Sequence, residues 1–136
     1  MKLLTIAAAL LAALSATAQS HIDDLRQRLL SRDKDYVFVV AHRGDWRSAP
    51  ENSVGAIKSA ADKGADMVEI DIHKTKDGQF VLMHDGNIDR TTNGHGNISD
   101  MTLEQLKSYR LRYSDGNLSD ETIPTLEDAL LACKDR

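Results

Sequence analysis

Two short apolar runs, separated by a helical pattern, dominate the middle of the chain. Tyr36–Ala41 is rich in β-branched and aromatic residues, which predicts a strand buried on both faces within a parallel sheet. A helix is predicted next, capped by Asn52 or Ser53 and ended by Gly64. Met67–Ile72 then predicts a second strand. Strand, helix and strand within about 35 residues form a βαβ unit, whose two strands are expected to run parallel.

A third apolar run, Phe80–His84, follows the second strand too closely for another parallel crossover. Only six residues separate it from His73, whereas a parallel crossover needs about a dozen or more. Asp77-Gly78 lies in this interval, and Asp-Gly favours a tight hairpin turn. We therefore expect the third run to return antiparallel to the second strand, which brings His84 to the level of Asp71.

The chain after His84 is predicted to contain a long loop and two short helices. Residues 87–100 are rich in Asn, Gly, Thr and Asp, as is typical of a functional loop. Thr102–Tyr109 predicts a short helix that begins with a capping box. Ser114–Asp120 predicts a polar turn, and Pro124 starts the last helix.

The N-terminal residues have the pattern of a secretory signal peptide. A basic start is followed by the apolar run Leu3–Leu14 and by Ala16-Thr17-Ala18, and the run is too short to span a membrane. We therefore expect residues 1–18 to be a signal peptide, 19–35 a lead-in segment and 36–136 the domain. The protein is expected to be exported, periplasmic or secreted, without a stable membrane anchor. Its 21 acidic against 17 basic residues argue against nucleic acid as a partner.

Two acidic residues of the second strand predict a cation site. Glu69 and Asp71 alternate along the strand and therefore share one face, where their charges repel unless a cation lies between them. An oxygen-preferring divalent cation, Ca²⁺ or Mg²⁺, fits this pair. The alternative is an exposed edge strand with solvated acids.

Two histidines and an arginine are expected beside this site. His42 ends the first strand and His84 the hairpin, so the two imidazoles could serve as an acid–base pair. Arg43 offers a planar charged fork for a phosphate. Glu51 and Asn52 begin the following helix at the same end of the sheet, where ligand sites collect in α/β folds; Asn52 has an alternative role as a helix cap.

Seven short motifs occur in order between Val39 and Ala132. They are His42-Arg43-Gly44, Pro50-Glu51-Asn52-Ser53, Glu69-x-Asp71, Thr75-x-Asp77-Gly78, His84-Asp85, Asp89-Arg90-Thr91-Thr92 and Pro124-Thr125-Leu126-Glu127. In this order they resemble the motifs of glycerophosphodiester phosphodiesterases. The resemblance implies an α/β fold, the N-terminal portion of a (β/α)₈ TIM barrel with a β-hairpin after its second strand.

The resemblance also implies an activity and roles for the candidate residues. The activity is hydrolysis of small-molecule glycerophosphodiesters to glycerol phosphate and an alcohol through a cyclic phosphate. His42 and His84 would be the general acid and base, in an order that the sequence leaves open. Glu69 and Asp71 would be ligands of one divalent cation and Arg43 would contact the phosphate. Glu51 would support the metal and substrate from outside the ligand pair.

The length of the chain sets a further expectation and leaves alternatives open. A complete barrel of this type needs roughly 250 residues. The resemblance implies a third acidic ligand, in a Glu-x-Lys strand, beyond Arg136, and we expect the fragment without it to be inactive. One alternative is a phospholipase or sphingomyelinase D-like enzyme that acts on intact lipids. Another is a non-catalytic binding module that keeps the fold.

Overall fold

The computed structural model describes residues 21–134, so the expected signal peptide lies outside the described residues. The chain divides into two compact units between Phe38 and Val39. In the first unit, residues 21–31 are helical (α1) and mostly exposed, and the Arg28 guanidinium lies 4.5 Å from the centroid of the Tyr36 ring. No helix within residues 21–134 is long and apolar enough to cross a membrane.

The second unit, residues 39–133, contains short strands and helices that pair locally. The strands are β1 (Val40–His42), β2 (Met67–Glu69), β3 (Ile72–Lys74), β4 (Phe80–Leu82), β5 (Arg110–Arg112) and β6 (Leu118–Thr122). The helices are α2 (Val54–Asp62), α3 (Leu103–Lys107) and α4 (Leu126–Cys133). β1 pairs with β2 in parallel, whereas β3 with β4 and β5 with β6 are antiparallel pairs.

The predicted βαβ unit is confirmed by β1, α2 and β2. Ser53 caps α2, since its hydroxyl accepts a hydrogen bond from the Ala56 N–H at 3.0 Å. The helix ends before Gly64, whose φ of +81° turns the chain out of the helix. Ala41 of β1 then lies opposite Val68 of β2 in a parallel register.

The first strand is shorter and more exposed than the sequence predicts. The expectation of a strand over Tyr36–Ala41, buried on both faces, is wrong, because β1 begins at Val40 and both Val39 and Val40 are more than half exposed. The reason is that β1 pairs along one edge only within residues 21–134.

The predicted second strand is divided where the chain changes its pairing partner. β2 ends at Glu69 and β3 begins at Ile72, after which the chain pairs antiparallel with β4. The predicted hairpin turn is confirmed, and its Gly78 adopts a φ of +84° that an Asp-Gly turn provides at little cost. The Met83 N–H donates to the Asp71 carbonyl at 3.0 Å, so the hairpin returns His84 to the level of Asp71.

The long loop and the following hairpin enclose a core of their own. Ile88 and Ile98, at the two ends of the loop, are almost fully buried in a cluster with Val81, Leu106 and Ile123. The Asn97 segment pairs back onto the start of the loop, which fixes its ends. The β5–β6 hairpin occupies the region that the sequence predicts as a polar turn.

Candidate functional site

The end of β1 enters a left-handed turn that places Arg43 beside Glu69, at the end of β2, and Asp71, which lies between β2 and β3. Arg43 and Gly44 have φ angles of +57° and +76°, and such a conformation is uncommon for a residue other than glycine. The Arg43 N–H donates to Glu69 Oε2 at 3.1 Å. His42 Nε2 lies 3.9 Å from the same oxygen, and the His42 side chain is 65% exposed. The turn thus gathers an imidazole, a guanidinium and a carboxylate at one strand end.

Asn52 fixes the second acid. Its side chain exchanges two hydrogen bonds with Asp71, from Asn52 Nδ2 to Asp71 Oδ2 at 2.9 Å and from the Asp71 N–H to Asn52 Oδ1 at 3.0 Å. Asn52 is buried and has a φ of +55°. The interpretation of Asn52 as the helix cap is therefore wrong, since Ser53 caps α2.

Arg43 Nε lies close to the acid that Asn52 holds. Its distance to Asp71 Oδ2 is 3.5 Å, and this buried nitrogen makes no hydrogen bond among the described residues. A buried donor without a partner is costly. Arg43 Nε is thus held beside Asp71 by the attraction of opposite charges, without a hydrogen bond to the described residues.

Glu51 is shared by two arginines. Arg43 Nη1 contacts Glu51 Oε1 at 3.2 Å, and Arg90 donates to both carboxylate oxygens at 2.8 and 2.9 Å. The hydrogen bonds from Arg90 hold the pKa of the Glu51 carboxyl below its usual range. Glu51 thus links the turn after β1 to the loop that follows β4.

His84 is oriented by its neighbour in the chain. Its Nδ1 lies 2.6 Å from Asp85 Oδ1, and Arg90 Nε donates to Asp85 Oδ2 at 2.8 Å. The Arg90 hydrogen bond, followed by that of His84, lowers the pKa of Asp85 to about 2. The carboxylate therefore stays ionised at neutral pH and fixes one ring nitrogen, while Nε2 has no partner among residues 21–134.

The acidic pair offers oxygen donors for a cation. Glu69 Oε1 and Asp71 Oδ1 accept no hydrogen bond from the described residues, and hard divalent cations favour carboxylate oxygens. Within residues 21–134, no three His, Cys, Asp or Glu side chains are arranged to hold a metal ion. The two carboxylates fit part of a Ca²⁺ or Mg²⁺ site, whereas Glu51 is occupied by arginines.

A pocket of about 480 Å³ opens beside this network. His42, Arg43, Glu51 and Arg90 line it, together with Trp46 and residues of the β5–β6 hairpin. His84 does not line the pocket; its connection runs through Asp85 and Arg90. A pocket lined by one imidazole and three guanidinium groups is suited to binding a phosphate ester.

The structure brings the sequence-predicted residues into one network of hydrogen bonds and ion pairs, and it adds two that sequence reasoning missed. Asp85 and Arg90 have no assigned role in the sequence patterns, yet they connect His84 to Glu51. Arg90 could have been singled out from the sequence because it belongs to the Asp89-Arg90-Thr91-Thr92 motif, which lies within the long loop.

Arg90→Met is expected to destabilise the protein by about 1 kcal/mol at neutral pH, because two carboxylates lose a shared partner. The Asp85 pKa is lowered in the folded state, so this contribution is fully present above the unfolded pKa of about 3.9 and is lost as the pH falls towards about 2. Urea unfolding of both proteins between pH 7 and 3 measures the difference. Arg110→Met, which removes an ion pair with the fully exposed Asp120, is the control. A pH-independent difference would contradict the prediction.

Comparison with protein families identifies residues 42–136 as similar to the glycerophosphoryl diester phosphodiesterase family. The chain is 45% identical over 108 residues to glycerophosphodiester phosphodiesterase 1 of Mus musculus, which covers 75% of the chain and 32% of that protein. It is 47% identical over 90 residues to the glycerophosphodiester phosphodiesterase of Caldanaerobacter subterraneus, covering 65% of the chain and 37% of that enzyme. The chain thus spans about a third of the length of these curated relatives.

Solved structures match the described fold. A phosphodiesterase from Oleispira antarctica, in complex with the product sn-glycerol-3-phosphate, aligns with a TM-score of 0.66 and 37% identity, over 71% of this chain and 40% of that one. A glycerophosphoryl diester phosphodiesterase from Parabacteroides distasonis aligns with a TM-score of 0.70 and 34% identity, over 85% and 41%. The expected fold class, the N-terminal α/β portion of a TIM barrel, is confirmed.

Proposed function

Since the chain belongs to the glycerophosphoryl diester phosphodiesterase family, we propose that the protein carrying it hydrolyses glycerophosphodiesters to glycerol phosphate and an alcohol. The observation that carries the proposal is the network around Glu51, which joins Arg43, the residue after His42, to Arg90, Asp85 and His84. The product complex of the Oleispira antarctica phosphodiesterase supports a glycerol phosphate ligand.

His42 and His84 would divide the proton transfers between them. One histidine accepts the proton of the glycerol hydroxyl next to the phosphate as its oxygen attacks phosphorus, and the other gives a proton to the departing alcohol oxygen. Water then opens the cyclic phosphate with the two roles reversed, which returns both histidines to their starting states. Asp85 keeps the His84 ring oriented through both steps, because it holds Nδ1 at 2.6 Å and leaves Nε2 accessible.

Arg43 would bind the phosphate that reacts. Its side chain lines the pocket and lies between Glu51 and Asp71. A phosphate oxygen that accepts a hydrogen bond from this guanidinium has its negative charge partly neutralised. This stabilises the transition state and lowers the barrier to attack on phosphorus.

Glu69 and Asp71 are the residues that would hold a divalent cation, Ca²⁺ or Mg²⁺. When bound, such an ion neutralises charge on the phosphate oxygens. The hydrogen bonds from the Arg43 N–H to Glu69 and from Asn52 to Asp71 keep the two carboxylates in place for this purpose. Glu51 and Asn52 would support the acids without themselves contacting the ion.

The proposed setting is extracytoplasmic. The signal-peptide pattern of residues 1–18 supports export, and the acidic balance of the chain fits a small-molecule substrate better than nucleic acid. The burial of Ile88 and Ile98 favours a soluble diester over an intact membrane lipid as the substrate. These two large apolar side chains of the long loop are buried and cannot enter a bilayer.

The test uses the protein at its natural length with glycerophosphocholine and, separately, with phosphatidylcholine vesicles. We expect glycerol phosphate to be released from the soluble diester, a rate at least about 10²-fold lower after EDTA treatment, and recovery with Ca²⁺ or Mg²⁺. Full activity in EDTA would contradict the metal requirement. Faster cleavage of the vesicles would favour a phospholipase, and tight binding without turnover would favour a binding module.

A further inference from the structure

Unlike the other arginines that line the pocket, Arg112 is not paired with a carboxylate of the described residues. Arg43 and Arg90 each form an ion pair with Glu51. Arg112 forms no ion pair with a carboxylate within residues 21–134; its Nε donates to the Thr92 carbonyl at 2.8 Å and its Nη1 to the Gly116 carbonyl at 2.9 Å. Two carbonyls hold the guanidinium in place and leave its full positive charge uncompensated.

The fixed charge lies on the wall of the same pocket. Arg112 ends β5, and Tyr113, Ser114 and Gly116 of the following turn also line the pocket beside His42. Arg112 is partly buried, and its Nη2 makes no hydrogen bond to the described residues. A guanidinium that is positioned in advance, with a nitrogen to spare, is a ready binding site for an anion.

The surroundings favour an anion over a cation. Of the three arginines that line the pocket, Arg43 is paired with Glu51 and Asp71, and Arg90 with Glu51 and Asp85, whereas Arg112 has no carboxylate partner among the described residues. The Arg47 guanidinium also lies 5.2 Å from the centroid of the Trp46 ring, so one aromatic surface of the pocket already has a cation beside it. A cationic head group would meet repulsion here, whereas a negative group would find an unpaired charge.

We propose that Arg112 is a specificity-determining residue that binds an anionic group, a carboxylate or a second phosphate, on the alcohol portion of the diester. Arg112 contacts none of Glu51, Glu69, Asp71 and Asp85, whereas Arg43 contacts three of them. We therefore expect the reacting phosphate to bind beside Arg43, and the alcohol portion of the diester to contact the β5–β6 hairpin. The inference rests on the proposed function.

Two diesters that differ by one carboxylate test this proposal. Glycerophosphoserine carries the carboxylate and glycerophosphoethanolamine lacks it. We expect the protein at its natural length to prefer the serine diester in kcat/KM. Arg112→Gln is expected to lower this preference by about tenfold or more, because a charge-assisted hydrogen bond is lost. Arg112→Lys, which keeps the charge and loses the planar fork, is expected to retain part of the preference.

Arg110→Gln is the matched control. Arg110 lies two residues earlier on the same strand, but its guanidinium pairs with Asp120 and does not line the pocket. We expect the ratio of the two kcat/KM values to stay unchanged in this variant. Thermal unfolding of the three variants separates a loss of specificity from a loss of fold.

A binding measurement tests the anion site at Arg112 independently of the proposed hydrolytic activity. Calorimetric titration with phosphoserine and phosphoethanolamine needs no turnover. A protein that hydrolyses neither diester, yet binds phosphoserine more tightly through Arg112, would overturn the proposed function and support the anion site. Equal affinity of the unsubstituted protein for both ligands, or equal losses on both diesters in Arg112→Gln, would overturn the role of Arg112.

Discussion

Replacing either His42 or His84 with alanine is expected to lower kcat on glycerophosphocholine by about 10²- to 10⁴-fold. Each variant removes a group that must give or accept a proton in both halves of the proposed reaction. Both side chains are substantially exposed, so their loss should leave the fold intact. Steady-state kinetics with the protein at its natural length, together with a thermal unfolding curve, measures the two effects separately.

His95→Ala supplies the control for this pair. His95 is 84% exposed and its nearest carboxylate, that of Asp89, is 3.5 Å away, but it does not line the pocket. We expect its kcat to stay within about twofold of the unsubstituted enzyme. The double variant of His42 and His84 should lose little more than either single variant, because residues that act as a unit are not additive. Unchanged turnover in His84→Ala would remove it from the mechanism.

Gly44→Ala is expected to destabilise the protein by about 2–5 kcal/mol and to impair the site. A Cβ at this position would lie 2.7 Å from the carbonyl carbon and 2.9 Å from the carbonyl oxygen of Ala56, and backbone atoms in a helix cannot move aside cheaply. The left-handed φ of +76° adds about 1–2 kcal/mol. The free energy of unfolding in urea measures the total.

Two other glycines separate these costs. Gly64 has a similar φ of +81° but nothing within 4 Å of a Cβ, so Gly64→Ala should cost only the backbone part, about 1–2 kcal/mol. Gly86 has neither the positive φ nor a close neighbour, so Gly86→Ala should change stability by less than about 0.5 kcal/mol. Equal losses at Gly44 and Gly64 would contradict the close approach of the turn to α2.

The parts of the fold that the sequence predicts are those set by local chemistry. The turn at Gly78 follows from the conformational freedom of glycine, and the start of α3 from the reciprocal bonds of Thr102 and Gln105. The β5–β6 hairpin was not predicted, because its strands are polar. It is held against the preceding long loop, where the Arg112 N–H donates to the Thr91 carbonyl at 2.8 Å.

The candidate site likewise contains residues that local sequence patterns predict and residues that they do not. Glu69 and Asp71 are predicted from strand periodicity, although the structure ends β2 at Glu69, and His84 is predicted from the hairpin that returns it to the level of Asp71. Arg90 and Arg112 could not be assigned roles, since nothing local in the sequence shows that one meets Glu51 and the other meets none of the acids. Their roles depend on how a long loop and a hairpin fold back.

The side chain of Glu121, on β6, accepts hydrogen bonds from Ser53 Oγ at 3.1 Å and from the Gly55 N–H at 2.9 Å, across 68 and 66 residues of sequence. The first turn of α2, with the neighbouring Glu51, is thus clamped by the last strand of the described unit. Closing so long a loop is slow and entropically costly. The start of α2 and the neighbouring Glu51 are accordingly expected to reach their final positions only after β6 has been synthesised and has docked against them.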